Sequence, residues 1–95
     1  MKIKEIWYLA HIDKHKGYYS MFFMDFPHYK FTDELKHECI IKAKEGLEML
    51  LSDMLYNKEV IPEPVEYGIA NYIMYFNLEL SRKIKDSWGE EPLVK

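Results

Sequence analysis

The chain has 95 residues, which is enough for one hydrophobic core and too few for two. Apolar residues make up 48% of the sequence and aromatic residues 16%, so the composition excludes a disordered chain. The net charge of −3, without long basic runs, disfavours direct binding of nucleic acid and favours a basic protein as partner.

The only cysteine, Cys39, has no partner for an internal disulfide, and the N-terminal residues do not resemble a secretion signal. We therefore expect a protein of the reducing cytoplasm. No apolar run approaches the length that a membrane-spanning helix needs, so we expect no membrane association.

The first part of the chain predicts strands. Residues 3–12 and 18–25 are rich in alternating β-branched and aromatic types, and the polar segment 13–17 ends in a glycine that suits a hairpin turn. Both faces of the second strand are apolar, so we expect something besides a helix to cover the sheet. Pro27 is expected to end this strand, because proline donates no ladder hydrogen bond. Residues 28–32 then leave room for a short third strand.

Residues 33–57 form the one long segment with helical periodicity. Its apolar residues recur every three or four positions, which predicts one buried and one solvated face. Thr32 or Asp33 is expected to cap the first turn. Gly46 lowers helix stability by about 1 kcal/mol relative to alanine. Either a strand or a partner approaches it closely, or it is a tolerated chance substitution.

The second half predicts a connector and a fourth strand. Pro62 and Pro64 hold the backbone of residues 58–68 extended, and residues 71–80 alternate as a half-buried strand does. The remaining residues are polar apart from Trp88, so we expect a short turn or helix and then a loose tail.

These elements predict an α+β fold: a three-stranded antiparallel sheet, one long helix packed on it, and a fourth strand. We expect one domain over residues 1–82 and a C-terminal tail over residues 83–95. Such a tail is too short for a DNA-binding domain.

Reactive side chains do not assemble in this prediction. His11 and His15 are four apart, which places ligands together on a helix but not where a strand runs into a turn. His37 and Cys39 point to different faces of a helix, and Cys39 lies on the apolar stripe. The carboxylates occupy separate elements: Asp13, Asp25, Asp33 and Asp53. We therefore predict no catalytic residues, no cofactor and no metal site.

Aromatic and methionine side chains around the second strand are the predicted partner-binding surface, with a plain hydrophobic core as the alternative. Exposed strand edges also offer backbone pairing to another copy, so we expect a homodimer or a higher oligomer. The predicted contact residues are Tyr19, Met21, Phe23, Phe26 and Tyr29.

Several short motifs occur in a characteristic order between residue 8 and about residue 80. They are Tyr8 with Ala10, Gly17-Tyr18-Tyr19, Asp25-Phe26-Pro27, Ala43-Lys44-Glu45 with Leu47, and Ile61-Pro62-Glu63-Pro64. In this order and spacing the chain resembles the N-terminal domain of the HicB-like antitoxins, and the last motif is the most specific. It departs from the family in the loop over residues 25–33, where the usual glycines are missing.

The resemblance implies a partial RNase H-like fold and a place in a toxin-antitoxin system. Such antitoxins are not enzymes: they bind a small basic HicA-like toxin, an mRNA-cleaving ribonuclease, and cover its catalytic histidine. The alternative is an orphan interaction module, such as a phage or mobile-element protein, that homo-oligomerises without a toxin. The departures in the loop favour the second hypothesis, and the Ile61-Pro62-Glu63-Pro64 motif with the acidic charge favours the first.

Overall fold

Three strands, a long helix, a fourth strand and a short helix follow one another along the chain in the computed structural model, which describes residues 4–66 and 68–89. The strands pair in the spatial order β3-β2-β1-β4, so β3 and β4 are the edges of one antiparallel sheet. The α+β prediction is confirmed. The elements are β1 (Trp7–His15), β2 (Tyr18–Phe23), β3 (Phe26–Asp33), α1 (Lys36–Tyr56), β4 (Tyr72–Tyr75) and α2 (Leu78–Ser87).

The core lies between one face of the sheet and the two helices. Side chains alternate across a strand, and the buried apolar residues of β1 and β2 are Tyr8, Ala10, Met21 and Phe23. We call this side the inner face. The predicted apolar stripe of α1 packs against it, and α2 contributes to the same cluster. Of the described helices, neither is long and apolar enough to cross a membrane.

Pro27 does not end the second strand as predicted. Strand β2 already ends at Phe23, and Pro27 lies near the start of β3, which is longer than the predicted third strand. Because β3 is an edge strand, a residue without an N–H group is tolerated there. The pairing of β2 with β3 also contains a register shift between Phe22 and Phe23.

The start of α1 differs from the predicted cap. Leu35 occupies the capping position, and within residues 4–66 no side chain caps this helix. Asp33 instead accepts a hydrogen bond from the Leu35 N–H at 3.1 Å and lies 3.1 Å from the Lys42 ammonium group. These two hydrogen bonds hold the pKa of Asp33 below its usual value, and the bond from Leu35 has the larger effect.

The predicted fourth strand over residues 71–80 is wrong in its second half. Strand β4 ends at Tyr75, and Asn77 begins α2 by accepting the Leu80 N–H at 2.8 Å with its side-chain oxygen. The hydroxyl of Ser81, in the first turn of α2, accepts the Ile6 N–H at 2.7 Å. This buried bond ties α2 to the start of β1.

Helix α2 crosses the predicted boundary between residues 82 and 83. Ile84 is fully buried, and Trp88 packs against the core. The folded unit therefore extends at least to Trp88. The rest of the predicted tail, residues 90–95, lies outside the described residues.

The close approach predicted at Gly46 is confirmed, and the approaching residue is Phe31 of β3. A Cβ atom at Gly46 would lie 2.8 Å from Phe31 Cζ, which is closer than side chains pack. We expect Gly46→Ala to lower the free energy of unfolding by about 1 kcal/mol. Overpacking costs about 1 to 3 kcal/mol, which exceeds the roughly 1 kcal/mol that alanine contributes through helix propensity.

Urea unfolding of the variant measures this change. Glu45→Ala is the control, because Glu45 is exposed on the same helix. Adding Phe31→Leu to Gly46→Ala should recover part of the loss by making room. A Gly46→Ala protein as stable as the parent would show that Phe31 moves aside without cost.

Candidate interaction surface

The side of the sheet turned away from the helices carries a second apolar surface. Trp7 pairs with Tyr75 and Leu9 with Ile73 across β1 and β4. Ile73 and Tyr75 are 51% and 52% exposed, while the β1 and β2 members are partly exposed. This surface, which we call the outer face, consists of Trp7, Leu9, His11, Phe22, Ile73 and Tyr75.

The segment between α1 and β4, of which the structure describes residues 57–66 and 68–71, is the connector, and it contacts the outer face at His11. Nδ1 of His11 lies 2.6 Å from the carbonyl oxygen of Ile69. Further along, the side-chain amide of Asn71 exchanges two hydrogen bonds with the backbone of Ile12, at 2.8 and 2.9 Å. The expectation that something besides a helix covers the sheet is therefore met in part by the connector.

A tyrosine holds the Ile61-Pro62-Glu63-Pro64 segment from the core. The Tyr8 hydroxyl donates to the Pro62 carbonyl oxygen at 2.7 Å. Burial, with smaller contributions from the charges of Asp25 and Glu63, raises the pKa of Tyr8 well above its usual value. Tyr8 therefore stays neutral and remains a donor.

Two more side chains hold the same segment. The Trp88 indole N–H donates to the Ile61 carbonyl oxygen at 2.7 Å, and the Val65 N–H donates to the Asp25 carboxylate at 3.2 Å. Burial raises the pKa of Asp25, although the bond from Val65 acts in the opposite direction. The extended backbone is thus held by partners from three parts of the chain.

An acidic hollow lies where this segment passes Trp7. Glu5, Glu63 and Glu66 are exposed there, and among residues 4–66 and 68–89 the only cation in the lining is Lys85, whose ammonium group donates to the Lys4 carbonyl oxygen at 3.1 Å. Carboxylates beside an indole ring suit a cationic side chain, by charge and by contact with the aromatic face. The hollow is lined by Glu5, Ile6, Trp7, Glu63, Pro64, Glu66, Lys85 and Trp88.

The predicted partner-binding residues are not gathered on one surface. Met21, Phe23 and Phe26 are core side chains, at most 7% exposed, so they cannot contact a partner while α1 covers them. Tyr19 is partly buried against the core, whereas Tyr29 on β3 is 48% exposed. For the three buried residues, the alternative of a plain core is correct.

Two residues that the prediction missed, Trp7 and Ile73, lie on the outer face. The pattern that indicates Trp7 is the apolar character of both sides of residues 3–12, which parallels that of the second strand, whereas Ile73 lies in the predicted fourth strand, residues 71–80. Alternation alone does not tell which of two apolar faces a helix will cover.

The reactive side chains have local structural partners. His15 Nε2 lies 2.7 Å from the Ser20 hydroxyl. Cys39 is buried, its thiol donates weakly to the carbonyl oxygens of Tyr19 and Phe31, and burial raises its pKa. Across residues 4–66 and 68–89, no three His, Cys, Asp or Glu side chains are grouped so that they could hold a metal ion.

Comparison of the chain with protein-family models, with curated proteins and with solved structures finds no match. The resemblance to the HicB-like antitoxins therefore rests on the order and spacing of the short motifs. Of these motifs, Ile61-Pro62-Glu63-Pro64 contributes its last two residues, Glu63 and Pro64, to the lining of the acidic hollow.

The contact of the connector with the outer face should weaken as the pH rises. His11 Nε2 lies 2.8 Å from the Asp13 carboxylate and Nδ1 lies 2.6 Å from the Ile69 carbonyl oxygen, so only the imidazolium ion donates to both. Both bonds raise the pKa of His11 above its ordinary value, and the bond to Ile69 has the larger effect. The folded protein thus holds this proton more tightly than the unfolded chain. The resulting stabilisation is complete below the unfolded pKa of about 6.5 and disappears as the pH rises through the raised value.

The test is the difference in unfolding free energy between the parent and His11→Phe, measured from about pH 5 to about pH 8, on either side of the ordinary histidine pKa. This difference should shrink with rising pH. His28→Phe, at an exposed position on β3, controls for the removal of a histidine. A difference for His11→Phe that does not change with pH contradicts the proposed bonding.

Proposed function

We propose that this chain is a HicB-like antitoxin, an inhibitor without catalytic activity that binds a small basic HicA-like ribonuclease toxin and occludes it. The observation that carries the proposal is the acidic hollow around Trp7, next to the apolar outer face. A basic, RNA-binding enzyme presents the opposite charge to such a surface.

Charge gives the proposed encounter its rate and its selectivity. Glu5, Glu63 and Glu66 outnumber Lys85 in the hollow, and the whole chain carries a net charge of −3. Complementary charge accelerates association and disfavours partners of the wrong sign. The proposed complex should therefore form more slowly as the salt concentration rises.

Trp7 supplies the apolar contact that charge alone lacks. Tryptophan is among the residues that dominate interface energies when a partner buries them. In this chain Trp7 is partly exposed and lines the hollow. An arginine side chain of the partner would find both carboxylates and an aromatic face there.

The connector presents Glu63 from a rigid backbone. Its neighbours are both prolines, and the Tyr8 hydroxyl and the Trp88 indole hold the adjoining carbonyl groups. A surface that is ordered before binding loses less conformational entropy on association than a flexible one. This gives the Ile61-Pro62-Glu63-Pro64 motif a physical role in the proposed contact.

The proposed site of action is the cytoplasm, where the buried free thiol of Cys39 stays reduced. The proposed partner is a protein, and no direct binding of nucleic acid is included. A second candidate function, an orphan module that associates with its own copies, is favoured by the edge strand β4, which has no charged residue of its own.

Co-expression with an adjacent reading frame for a small basic protein tests the proposal. The neighbour should be toxic alone, and this chain should restore growth and co-purify with it. Trp7→Ala should weaken the complex about thirtyfold, which corresponds to about 2 kcal/mol for a truncated anchor residue.

Matched charge reversals locate the contact. Glu63→Lys/Glu66→Lys should slow association, whereas Glu45→Lys/Asp53→Lys changes the net charge equally on exposed positions of α1 and should have little effect. The antitoxin proposal fails if the neighbour is harmless, or if it is toxic but neither neutralised nor co-purified. Equal effects of the two reversals would contradict the hollow as the contact.

A further inference from the structure

The two edges of the sheet differ in their protection against pairing. The β3 edge carries Pro27, Lys30 and the register shift against β2. Prolines, lysines and bulges are the features with which proteins block unwanted pairing of edge strands. The β4 strand and its flanks have none of them: residues 68–78 contain no Asp, Glu, Lys or Arg, although such residues make up 31% of the chain. From other parts of the chain, Lys4 and Lys85 line a hollow with Tyr75 and Leu78 at the end of this strand.

Among residues 4–66 and 68–89, strand β4 pairs with β1 alone, so its other side is an edge of the sheet. The Phe76 N–H donates to the Ile6 carbonyl oxygen at 3.0 Å, so Phe76 turns its backbone groups towards β1. Alternate residues of an antiparallel strand point their backbone groups to opposite sides. Ile73 and Tyr75 therefore direct their N–H and C=O groups away from β1, towards the open edge.

We infer that two copies of this chain pair through β4, antiparallel, about a two-fold axis at Met74. In this register Ile73 lies opposite the partner's Tyr75. Residues opposite each other in this way exchange two hydrogen bonds, and the two-fold axis repeats the pair. The two sheets become one continuous sheet.

The neighbouring residues select this register. An axis at Ile73 would place Tyr75 opposite the partner's Asn71, but the Asn71 N–H already donates to the Ala10 carbonyl oxygen on β1. An axis at Tyr75 would place Ile73 opposite the partner's Asn77, whose carbonyl oxygen accepts the Ser81 N–H in α2. The axis at Met74 uses the two outward-facing residues and leaves those bonds intact.

The exposed side chains along this edge match the same symmetry. Ile73 and the partner's Tyr75 would be neighbours on the outer face, and pairs of β-branched and aromatic side chains stabilise antiparallel sheets. Beyond the strand ends, Ile69 is 70% exposed and Leu78 is 52% exposed. Ile69 is five residues before Met74 and Leu78 is four residues after it. In the antiparallel pair, Ile69 of one copy therefore lies near Leu78 of the other.

A four-residue strand alone buries less surface than a stable interface requires. The flanking apolar residues Ile69 and Leu78 therefore belong to the inferred contact. The inference does not depend on a toxin, because the edge bonds lie in the plane of the sheet and Trp7 projects from its outer face.

Sedimentation equilibrium of the full chain tests the inference, with a dimer as the expected species. Ile73→Lys/Tyr75→Lys brings four ammonium groups together at the contact and should raise the dissociation constant at least tenfold, with unchanged circular dichroism. Met49→Lys/Val60→Lys is the control, since it adds the same charge at exposed apolar positions away from the edge. A parent that is monomeric at all concentrations, or a dimer that the first pair leaves unchanged, overturns the inference.

Disulfide trapping tests the register. Residues opposite each other in a hydrogen-bonded pair have Cα atoms about 5.5 Å apart, which a disulfide can bridge, whereas diagonal neighbours are farther apart. An equal mixture of Ile73→Cys and Tyr75→Cys, diluted, concentrated and then oxidised, should give a mixed dimer, and each variant alone should give little. Preferential homodimers of either variant overturn the register.

Discussion

Strand β1 is apolar on both of its faces, and much of the structure follows from that constraint. Tyr8 and Ala10 face the helices, while Trp7 and Leu9 face the opposite side. Each apolar surface removed from water contributes roughly 25 cal/mol per Å². Both helices pack on the inner face. The outer face is instead contacted by the connector, whose Ile69 carbonyl oxygen lies beside His11.

The extended connector is not part of the sheet, so its backbone N–H and C=O groups need hydrogen-bond partners from elsewhere. Pro62 and Pro64 bring no N–H groups, which removes two donors from the problem. The carbonyl groups of Ile61 and Pro62 receive the Trp88 indole and the Tyr8 hydroxyl. The same two aromatic side chains thus pack in or against the core and hold the connector. Removing the Tyr8 hydroxyl or the Trp88 indole would leave one of these carbonyl groups without its donor. Where the carbonyl group is buried, this lowers the free energy of unfolding by about 1 to 3 kcal/mol.

The sequence predicts the features that depend on a local pattern and not on tertiary contacts. The buried stripe of α1 repeats over several turns, and Gly46 stands out within it, so both were recognisable. The start of α2 was not. Phe76, Leu78 and Leu80 satisfy a strand period, while Leu80 and Ile84 satisfy a helical one, and the capping bond of Asn77 decides between them.

The candidate surface was less predictable than the fold for a related reason. Phe22 and Phe23 are neighbours in sequence, and alternation places them on opposite faces without telling which face is covered. That choice depends on where α1 docks, which is a tertiary property. Phe23 is buried under the helices and Phe22 lies on the outer face, so the predicted contact residues from the inner face became core.

The arrangement of the two edges also determines how far association can proceed. Asn71 and Asn77 flank β4, and both commit backbone groups within their own chain. The pairing strand is thereby limited to the two outward-facing residues between them, which leaves little freedom to slip in register. In the inferred dimer both β4 edges would be occupied, and the remaining β3 edges carry Pro27 and Lys30. A two-fold contact of this kind closes at two copies, whereas an unprotected second edge would allow the sheet to extend into a fibre.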